Sequence, residues 1–498
     1  MTALWHDLPD AQAALRPDAA ALSDTTGADW TWADLKAASE DLAQVLAHAG
    51  VARGDRVLVL AENCNAAVAA LYAATRLGAA AIPVNARQTA AEVDRVIAHA
   101  TPAAILATAA VSPDAAAHAA RLRAAPVKGR FGTLHMTACA SDPEGVGDVA
   151  VVLYTTGTTG TPKGVMLTHA NLIFGGTASA GLRGISPDDV IYGVLPITHV
   201  FGLASIVTAA AVAGARIRLE PRFSAAKLYA ALTEGVTLLS AVPQMHALLM
   251  QYTAEQGLDR LPGQTLRYVS SGAAPLDPTW KRKAESFYGV ALQNGYGMTE
   301  TTAGVSITQS APGDPDISTG PALPGVDLRI DETVPGGGDG AGEVVVRGPN
   351  IMKGYFRNAE ATAAALSPDG WLRTGDLGRI DDRGRLHILG RSKELIIHGG
   401  FNVYPPEVEA ALNDHPQVIQ SAVIGRIEEG DEKVLAFVQV APGCDLTPGD
   451  LRAFVADRLA GYKRPERIIL ATQLPAAPTG KILKHRLLEA FADQLEKD

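Results

Sequence analysis

The chain has 498 residues, which is too long for one hydrophobic core and predicts a large domain with a smaller one beside it. Its formal net charge is -10 and it has no block or stripe of lysine and arginine, which argues against a nucleic-acid partner. The three cysteines, Cys64, Cys139 and Cys444, lie far apart without metal-ligand spacing, and the first residues lack a basic and then apolar signal pattern, so a reducing cytoplasm is expected.

Between residues 32 and 107 the chain alternates helical periodicity with short apolar runs. The predicted helices are residues 32–50, 66–77 and 90–98, and the predicted strands are residues 56–60, 80–84 and 103–107. This alternation predicts βαβ units and a mostly parallel sheet that is covered on both faces. Residues 108–148 are rich in alanine and predict surface structure without a clear pattern.

A long segment without charged side chains, residues 190–215, raises the question of a membrane span. The segment contains Pro196, His199 and three glycines, and a buried strand, a turn and a core helix explain it better than a lipid-facing helix does. We therefore expect no integral membrane segment.

The pattern changes twice in the remaining chain. Short strands at residues 216–219, 238–241 and 268–270 predict a second βα series. From residue 321 glycine and proline become dense and strands follow one another without helices, which predicts an antiparallel β subdomain. Beyond residue 390 helices and strands mix, as in a small α+β domain.

The predicted fold class is α/β, with a large N-terminal domain of βαβ-type sheets plus a β subdomain, and a small, mobile α+β C-terminal domain. The predicted boundaries are residues 1–390 for the large domain, 391–393 for a hinge and 394–498 for the small domain.

Residues 154–164 read YTTGTTGTPKG and follow an apolar run, which predicts a buried strand that leads into a phosphate-binding loop. Glycine lets backbone N–H groups approach a ligand, threonine adds hydroxyl donors, and Lys163 adds a positive charge. The common pattern G-x-x-x-x-G-K-[ST] does not apply, because Thr161 and Pro162 separate glycine from lysine. A polar surface turn is the alternative, but turns rarely place a lysine behind so regular a Gly/Thr repeat.

A second motif, NGYGMTE at residues 294–300, places an aromatic ring between two glycines. Tyr296 can lie against a flat base, while Thr299 and Glu300 offer a hydroxyl and a carboxylate to phosphate and magnesium. Upstream, residues 271–275 (SGAAP) follow a predicted strand, at the end where open α/β sheets bind ligands. A core tyrosine flanked by glycines is the alternative for Tyr296.

Charged side chains on later turns are further candidates. Asp376, in a TGD turn, can accept hydrogen bonds from two ribose hydroxyls. Arg391 and Lys393 follow in the sequence GRSKE. Lys481 follows a Thr-Gly turn, from which a lysine can bridge a carboxylate and a phosphate. Solvated surface charges are the alternative for each of them.

In this order and over nearly the whole chain, the motifs resemble those of the adenylate-forming superfamily of acyl-CoA synthetases, luciferases and peptide-synthetase adenylation domains. The family usually has serine where this chain has Thr156, and the substitution keeps the hydroxyl. The chain is most similar to acyl- or aryl-CoA synthetases, so the resemblance implies an acid–thiol ligase that uses ATP, Mg²⁺ and CoA.

The resemblance also implies roles for individual residues. Tyr296 would stack on adenine, Asp376 would bind ribose and Lys393 would be the pivot of the small domain. Lys481, Glu300 and Thr156 would be catalytic, with Glu300 also at the metal. The residues expected to bind ATP or CoA are Thr155, Thr156, Gly157, Thr158, Thr159, Gly160, Lys163, Gly272, Ala273, Ala274, Pro275, Asn294, Gly295, Tyr296, Gly297, Met298, Thr299, Asp376, Arg391, Gly399 and Gly400.

Two half-reactions are implied. First, a carboxylate attacks the α-phosphorus of ATP and pyrophosphate leaves, while Lys481 orients the oxygens. The small domain then rotates about Lys393, and residues 398–405 (HGGFNVYP), which resemble the family's pantetheine-tunnel segment, enter so that the CoA thiol can attack the acyl-adenylate.

The acid is less well defined. The candidate pocket residues are His199, Val200, Phe201, Val242, Met245, His246, Thr301 and Val305. Most of them are small or apolar, which favours a fatty or aromatic monocarboxylate. By its uncharged surroundings His199 would be a core histidine, whereas the resemblance places it in the substrate pocket without an assigned acid/base role.

Alternative functions remain open at this stage. No arginine occurs between residues 295 and 321, which disfavours a dicarboxylate such as malonate. An enzyme that loads a carrier protein and a non-catalytic nucleotide-binding regulator are the other two alternatives. The combination of Glu300, Asp376, Arg391 and Lys481 argues against the regulator.

Overall fold

The first third of the chain builds its sheets by alternating helix and strand. In this computed structural model the described residues are 3–140, 146–155, 162–263, 265–272, 276–399, 401–428, 431–476 and 482–495. The helices of this part are α1 (Asp7–Leu15), α2 (Trp32–His48), α3 (Asn65–Arg76), α4 (Ala90–Ala100), α5 (Pro113–Arg121) and α6 (His169–Leu182). The strands are β1 (Ala20–Ser23), β2 (Asp29–Thr31), β3 (Arg56–Ala61), β4 (Ala80–Asn85), β5 (Ala104–Ala107), β6 (Ala125–Gly129), β7 (Gly132–Ala138), β8 (Val149–Thr155) and β9 (Lys163–Thr168).

The middle of the chain repeats the alternation. Its helices are α7 (Val200–Gly202), α8 (Ala209–Ala213), α9 (Ala225–Thr233), α10 (Pro243–Ala254) and α11 (Pro278–Tyr288), with a π-helical segment at Leu203–Thr208 and a 3₁₀ turn at Thr299–Thr301. Its strands are β10 (Val190–Gly193), β11 (Arg216–Leu219), β12 (Leu238–Ala241), β13 (Tyr268–Ser271), β14 (Leu292–Tyr296) and β15 (Ser306–Ile307).

The last part contains the β subdomain and the small domain. The strands of the subdomain region are β16 (Asp327–Asp331), β17 (Ala341–Arg347), β18 (Gly354–Tyr355), β19 (Leu372–Ile380) and β20 (Leu386–Arg391), with helix α12 (Ala359–Ala365). The strands that follow are β21 (Ile396–His398), β22 (Phe401–Val403), β23 (Val418–Glu428), β24 (Asp431–Val440) and β25 (Arg467–Ala471). The helices are α13 (Pro405–Asn413), α14 (Pro448–Ala456), α15 (Leu487–Ala490) and α16 (Ala492–Leu495), with 3₁₀ turns at Ser392–Glu394, Gly461–Lys463 and Lys484–Arg486.

Local sequence explains where these elements begin. Thr31, Thr89 and Thr168 each accept a hydrogen bond from the third residue of the helix that follows, which pairs a backbone N–H that would otherwise lack a partner. Strand β3, RVLVLA, is buried along its whole length, as expected for a central strand covered on both faces.

The large domain is built on two sheets that, in the described residues, have eight strands each. Their strand orders are β18-β9-β8-β4-β3-β5-β7-β6 and β15-β14-β13-β12-β10-β11-β1-β2. Strands β3, β4, β5 and β8 are parallel, as are β10 to β14 with one another and with β1. Apolar side chains of both halves pack together in one extended core that includes Trp5, Trp32 and Tyr72.

The prediction of a mostly parallel sheet is correct only for the centres of the two sheets. Strand β9 pairs antiparallel with β8. The predicted phosphate-binding loop of residues 154–164, called the Thr/Gly loop below, therefore lies where these two strands of a hairpin are connected. Strands β6 and β7 form a second antiparallel hairpin at the opposite edge, within residues 108–148, where no element was predicted. Edge strands of this kind lack the long apolar runs that identified the central strands.

The charge-free segment forms strand β10 and then a helical stretch from α7 to α8, as predicted. Inside that stretch the π-helical turn is marked by Thr208 Oγ1, which donates to Leu203 O at 3.0 Å. Trp5 Nε1 donates to the same hydroxyl at 2.9 Å and so ties the first residues of the chain to this turn. None of the helices in the described ranges combines the length and apolar character that a bilayer crossing requires.

The small domain has a three-stranded sheet, β23-β24-β25, with apolar side chains on both faces. Because successive residues of a strand point to opposite faces, Val434 and Ala436 of β24 belong to one hydrophobic cluster, while Leu435 and Phe437 belong to another. The first cluster includes residues of α13 and α14, and the second includes residues of the C-terminal helices. The predicted architecture of a large α/β domain followed by a small α+β domain is therefore confirmed.

Candidate functional site

Four neighbouring parallel strands end at one edge of the second sheet, and predicted site residues follow each of them. In the order of the strands, Tyr296 ends β14, Gly272 follows β13, Val242 follows β12 and His199 lies shortly after β10. Because the carboxyl ends of parallel strands share an edge, the structure brings these residues together although they span nearly one hundred positions of sequence.

Tyr296, Asp376 and Arg391 form a polar cluster at this edge, in which Asp376 is buried and the other two side chains are half-buried. The Tyr296 hydroxyl donates to Asp376 Oδ2 at 2.5 Å, and Arg391 Nε lies 2.9 Å from Asp376 Oδ1. Burial, together with the Asp376 carboxylate, raises the pKa of Tyr296 well above its ordinary value. Burial alone would lower the pKa of Arg391, but Asp376 together with the other acidic groups around it outweighs burial and leaves that pKa raised. The cluster thus joins three residues that were predicted separately to bind nucleotide.

The backbone around Asp376 is held by neighbouring strands. Gly375 has a φ of 71°, in the left-handed region that favours glycine, and its N–H donates to Glu343 Oε1 at 2.9 Å. Thr374 Oγ1 donates to Val344 O at 2.7 Å and accepts from the Asp376 N–H at 3.1 Å. The TGD motif is therefore a turn within β19 that is fixed by β17.

The NGYGMTE motif folds into a tight turn after β14. Asn294 uses its side chain internally, since its Nδ2 donates to Ser318 O at 3.0 Å and its Oδ1 accepts from the Gly295 N–H at 3.0 Å. A Cβ at Gly297 would lie 2.1 Å from Ala303 O, so the backbone packing requires glycine there. Met298 and the buried Thr299 follow, at the entrance to the 3₁₀ turn that carries Glu300.

Glu300 is linked to the strand that follows the Thr/Gly loop. Thr155 ends β8 and pairs with Lys163, the first residue of β9. Lys163 Nζ lies 4.8 Å from the centre of the Tyr355 ring, whose hydroxyl donates to Glu300 Oε1 at 2.9 Å. Sequence reasoning missed Tyr355, because only its pairing with Val165 of β9 brings it to the site.

The carboxylate of Glu300 fits a magnesium ion that is held mainly by phosphates. No group of three or more histidine, cysteine or carboxylate side chains is arranged around a metal position within the described ranges. Mg²⁺ is commonly bound by one or two carboxylates, with substrate phosphates and water completing its coordination. Glu300 Oε2 has no hydrogen-bond partner among the residues that the structure describes, so one carboxylate oxygen remains for such an ion.

His199 and Phe201 lie at the predicted acyl side of the edge. His199 is exposed, and its Nδ1 accepts from the Phe201 N–H at 3.2 Å, so it is not the core histidine that its uncharged surroundings suggested. A Cβ at Gly272 would lie 2.8 Å from Phe201 Cε1, which shows that this ring packs directly on the glycine. Val200, Val242 and Met245 are buried nearby in the same core.

Three predicted pocket residues pack behind the wall of the site instead of lining it. His246, Thr301 and Val305 have no accessible surface. The two ring nitrogens of His246 lie 2.7 Å from Tyr288 Oη and 3.3 Å from Ser270 O, and burial lowers its pKa to about 4. Thr301 Oγ1 accepts from the Met298 N–H, and Val305 belongs to a hydrophobic cluster of the β subdomain. Direct contact with substrate, as predicted for these three, is corrected to a supporting position.

The predicted pivot, Lys393, and Gly399 of the pantetheine segment are both exposed. Lys393 is exposed in the 3₁₀ turn between β20 and β21, and Gly399 has a φ of 58° with its N–H donating to Asp431 Oδ1 at 2.9 Å. Beside the pivot, Glu394 Oε2 accepts from Lys484 Nζ at 3.0 Å. Several other predicted residues lie outside the described part of the chain: Thr156, Gly157, Thr158, Thr159, Gly160, Ala273, Ala274, Pro275, Gly400 and Lys481.

Comparison with known proteins agrees with this arrangement. The model of the AMP-binding enzyme family matches residues 9–356, and that of the AMP-binding enzyme C-terminal domain matches residues 407–481. An indoleacetate–CoA ligase from Aromatoleum aromaticum is 33% identical over 489 residues, which cover 93% of this chain and 94% of the relative. A long-chain-fatty-acid–CoA ligase from Mycobacterium tuberculosis is 32% identical over 493 residues, with 95% of each chain covered.

Solved structures with the same fold include two that contain ATP. The ATP-bound MatB from Rhodopseudomonas palustris has a TM-score of 0.84 at 33% identity, covering 99% of this chain and 100% of the other. An o-succinylbenzoate–CoA synthetase from Bacillus subtilis in complex with ATP and magnesium has a TM-score of 0.81 at 28% identity, covering 96% and 98%. The chain therefore belongs to the AMP-binding enzyme family, and its curated relatives confirm the prediction that it is an acid–thiol ligase.

Proposed function

We propose that the protein activates a fatty or aromatic monocarboxylic acid with ATP, as an acyl-adenylate, and then transfers the acyl group to CoA. ATP-dependent acid activation and CoA ligation follow from its family, whereas the acid class and the roles of individual residues are proposed. The observation that best supports the proposal is the polar cluster of Tyr296, Asp376 and Arg391, centred on a buried carboxylate, at the carboxyl edge of the sheet. An aromatic ring beside a carboxylate and a guanidinium offers partners for the base and the ribose of a nucleotide.

The proposed nucleotide position extends from this cluster toward Lys163. Asp376 accepts hydrogen bonds from the ribose hydroxyls, and the ring of Tyr296 lies against adenine. Thr155, Lys163 and residues 156–161 between them hold the β and γ phosphates, with Lys163 contributing charge to the grip. Glu300 is the residue that would hold magnesium, which would offset the charge of the phosphates as they separate.

In the first half-reaction, a carboxylate oxygen of the acid attacks the α-phosphorus of ATP. The bond from that phosphorus to the oxygen of the departing group breaks, so pyrophosphate leaves and acyl-AMP remains. We assign Lys481 to the orientation of the attacking and bridging oxygens, because a lysine can contact a carboxylate and a phosphate together.

In the second half-reaction, the CoA sulfur attacks the acyl carbonyl carbon as a thiolate. The carbon–oxygen bond to AMP breaks, and the thiol proton is released to solvent. We propose that rotation about Lys393 withdraws Lys481 and brings the segment at Gly399 to the cleft. The exposure of Lys393 and the short turn that carries it support a pivot there, because few packing contacts resist a change of backbone angle.

Side chains at the acyl side support a monocarboxylate. Phe201 packs on Gly272, and the neighbouring wall is apolar. The arginines that follow β4 and β11 are paired, since Arg87 and Arg222 lie 3.3 Å and 2.9 Å from Glu62 Oε1. Both guanidinium groups therefore already have a carboxylate partner within the protein. The names of the relatives, an indoleacetate ligase and a long-chain-fatty-acid ligase, fit the same class of acid.

A panel of acids tests the proposed activity. Purified protein with ATP and Mg²⁺ is given short-chain, long-chain, benzoate-like and cinnamate-like acids, with malonate as the dicarboxylate, each with and without CoA. We expect acid-dependent pyrophosphate release and, with CoA, an acyl-CoA product from a monocarboxylate. Malonate as the sole substrate would overturn the acid class, and ATP binding without turnover across the panel would overturn the activity. Acyl-AMP that accumulates with CoA present would instead favour a carrier-protein acceptor.

Two variants separate the half-reactions. Lys481→Ala should lower acyl-adenylate formation by about 100-fold or more while thioester formation from supplied acyl-AMP is retained. Lys393→Pro should do the reverse, because a fixed backbone angle at the pivot restricts rotation. Lys433→Ala on β24 is the control for loss of a lysine from the small domain. Equal losses of both half-reactions in both variants would contradict the assignment.

A further inference from the structure

The segment Met352–Phe356 connects the two parts of the predicted phosphate site through its backbone. The Met352 N–H donates to Glu300 O at 2.9 Å, and the Phe356 N–H donates to Gly164 O at 2.7 Å. Between them, β18 pairs with β9 so that Tyr355 lies opposite Val165. The strand that follows the Thr/Gly loop and the turn that carries Glu300 are therefore attached to the same short segment.

Tyr355 repeats this connection with its side chain. Its hydroxyl donates to Glu300 Oε1 at 2.9 Å, and Lys163 Nζ lies 4.8 Å from the centre of its ring. Its own backbone N–H donates to Thr362 Oγ1 at 2.9 Å, which fixes the segment from the other side. Tyr355 is only 8% exposed, so the ring has little freedom to turn away.

These contacts fix the orientation of the Glu300 carboxylate. With Oε1 occupied by the tyrosine hydroxyl, rotation of the carboxylate would break a hydrogen bond between buried groups. The ring also gives the Lys163 ammonium a favourable face to rest on, which limits how far that charge can move.

We propose that Tyr355 is a positioning residue that fixes the Glu300 carboxylate for magnesium through its hydroxyl and the Lys163 ammonium for phosphate through its ring. The inference depends on the proposed binding of ATP with magnesium at this site. A partner that orients a metal-binding carboxylate commonly changes metal affinity by about 10-fold to 100-fold when it is lost. Because the two contacts use different parts of one side chain, substitutions can separate them.

Calorimetric titration of the full-length protein with ATP, at a series of free Mg²⁺ concentrations and without acid or CoA, tests the inference. Tyr355→Phe keeps the ring below Lys163 but removes the hydrogen bond to Glu300. We expect the Mg²⁺ concentration that gives half of the maximal ATP affinity to rise by about 10-fold, with ATP binding in the absence of Mg²⁺ unchanged. Tyr355→Leu should weaken ATP binding both with and without Mg²⁺.

Tyr288→Phe is the matched control, because it removes a buried hydroxyl that lies 2.7 Å from His246 Nδ1, away from the phosphate site. It should lower the melting temperature without changing the Mg²⁺ dependence. A Tyr355→Phe protein with the parental Mg²⁺ dependence would overturn the positioning role, even if its melting temperature fell. Failure of the parent protein to bind ATP at any Mg²⁺ concentration would instead overturn the proposed function.

Discussion

The nucleotide edge of the large domain and the small C-terminal domain hold their predicted functional side chains in different ways. At the edge, Tyr296, Asp376 and Arg391 come from three strands and bond to one another, and Asp376 is only 4% exposed. In the hinge and the small domain, Lys393 and Gly399 are exposed, and the Gly399 N–H donates to Asp431 of the same domain.

The difference concerns when each part of the site is formed. Polar groups that bond to a buried carboxylate keep their geometry, because any displacement leaves that charge unpaired, so the edge is prepared before ligand arrives. Exposed turns have no such restraint, and they acquire new partners only when another surface or a ligand packs on them. The contrast suits a fixed nucleotide site that is served by a small domain with more than one position.

The largest effect is expected from removal of the Asp376 carboxylate, which holds the nucleotide edge together. Asp376→Ala leaves the Arg391 guanidinium and the Tyr296 hydroxyl without their shared acceptor. We expect acyl-adenylate formation to fall by about 100-fold or more, equivalent to about 3 kcal/mol, because the carboxylate that holds both Tyr296 and Arg391 at the nucleotide site is lost. Acid-dependent pyrophosphate release measures the loss.

Asp381→Ala is the control for this change. Asp381 also pairs with an arginine, Arg385, but at the far end of the β19–β20 hairpin. Nucleotide affinity should be unchanged in that variant. Comparable losses in the two variants would mean that the β19–β20 hairpin, and not the contacts among Tyr296, Asp376 and Arg391, governs ATP binding.

Acid should weaken the large domain through His246. Burial lowers the pKa of this histidine to about 4, whereas the unfolded chain binds the proton at about pH 6.5. The unfolded state therefore binds more protons between these values, and the free energy of unfolding should fall as the pH falls through that window, by up to about 3 kcal/mol. Above about pH 6.5 this contribution is constant.

Urea unfolding between about pH 7 and about pH 5 measures the slope. His246→Gln should unfold at lower urea at neutral pH but show a flatter dependence on pH, since one titrating group is gone. His485→Gln, at an exposed turn of the small domain, should keep the parental slope. A parental slope in His246→Gln would assign the acid sensitivity elsewhere.

A smaller effect on stability is expected for Lys484, which connects the 3₁₀ turn Lys484–Arg486 of the small domain to the residue beside the pivot. Its Nζ lies 3.0 Å from Glu394 Oε2 and 2.8 Å from Glu409 Oε1, and its side chain is 22% exposed. Lys484→Met should lower the free energy of unfolding of the small domain by about 1 to 2 kcal/mol, because two carboxylates lose their partner in a partly screened site. ATP affinity of the large domain should stay the same.

Differential scanning calorimetry with and without ATP distinguishes the two domains. Lys484→Arg should restore most of the loss, whereas Lys433→Met, which removes longer ion pairs on β24, should have little effect. A change in ATP affinity in Lys484→Met would show that the two regions are more tightly coupled than their contacts indicate.

Much of the fold could be predicted because burial leaves a regular trace in sequence. The central strands β3, β4 and β8 are apolar runs, and α2 and α4 combine helical periodicity with a capping threonine. The chemistry of the site followed from short motifs in which residue type restricts the role. Tyr296, Asp376 and Arg391 were predicted one by one, and their direct contact could not be read from positions so far apart.

The remaining features depend on pairing between distant residues. Strand β9 was not predicted, because its first two residues are also the last two of the Thr/Gly motif. Tyr355 became a site residue only through a pair of short strands separated by nearly two hundred positions. His246 was expected to line the pocket, but it is buried, and a hydrogen bond to Tyr288 accounts for a polar group in the core.

The bond from the Trp5 indole to Thr208 spans 203 positions of sequence and fixes the π-helical turn behind the acyl side of the site. During synthesis Trp5 leaves the ribosome long before Thr208, so this hydrogen bond forms only after strand β10 has been made. Contacts of such long range slow the final folding step. An affinity tag fused ahead of residue 1 would lie a few residues from this buried ring, whereas a tag at the other terminus would leave the packing of Trp5 unchanged.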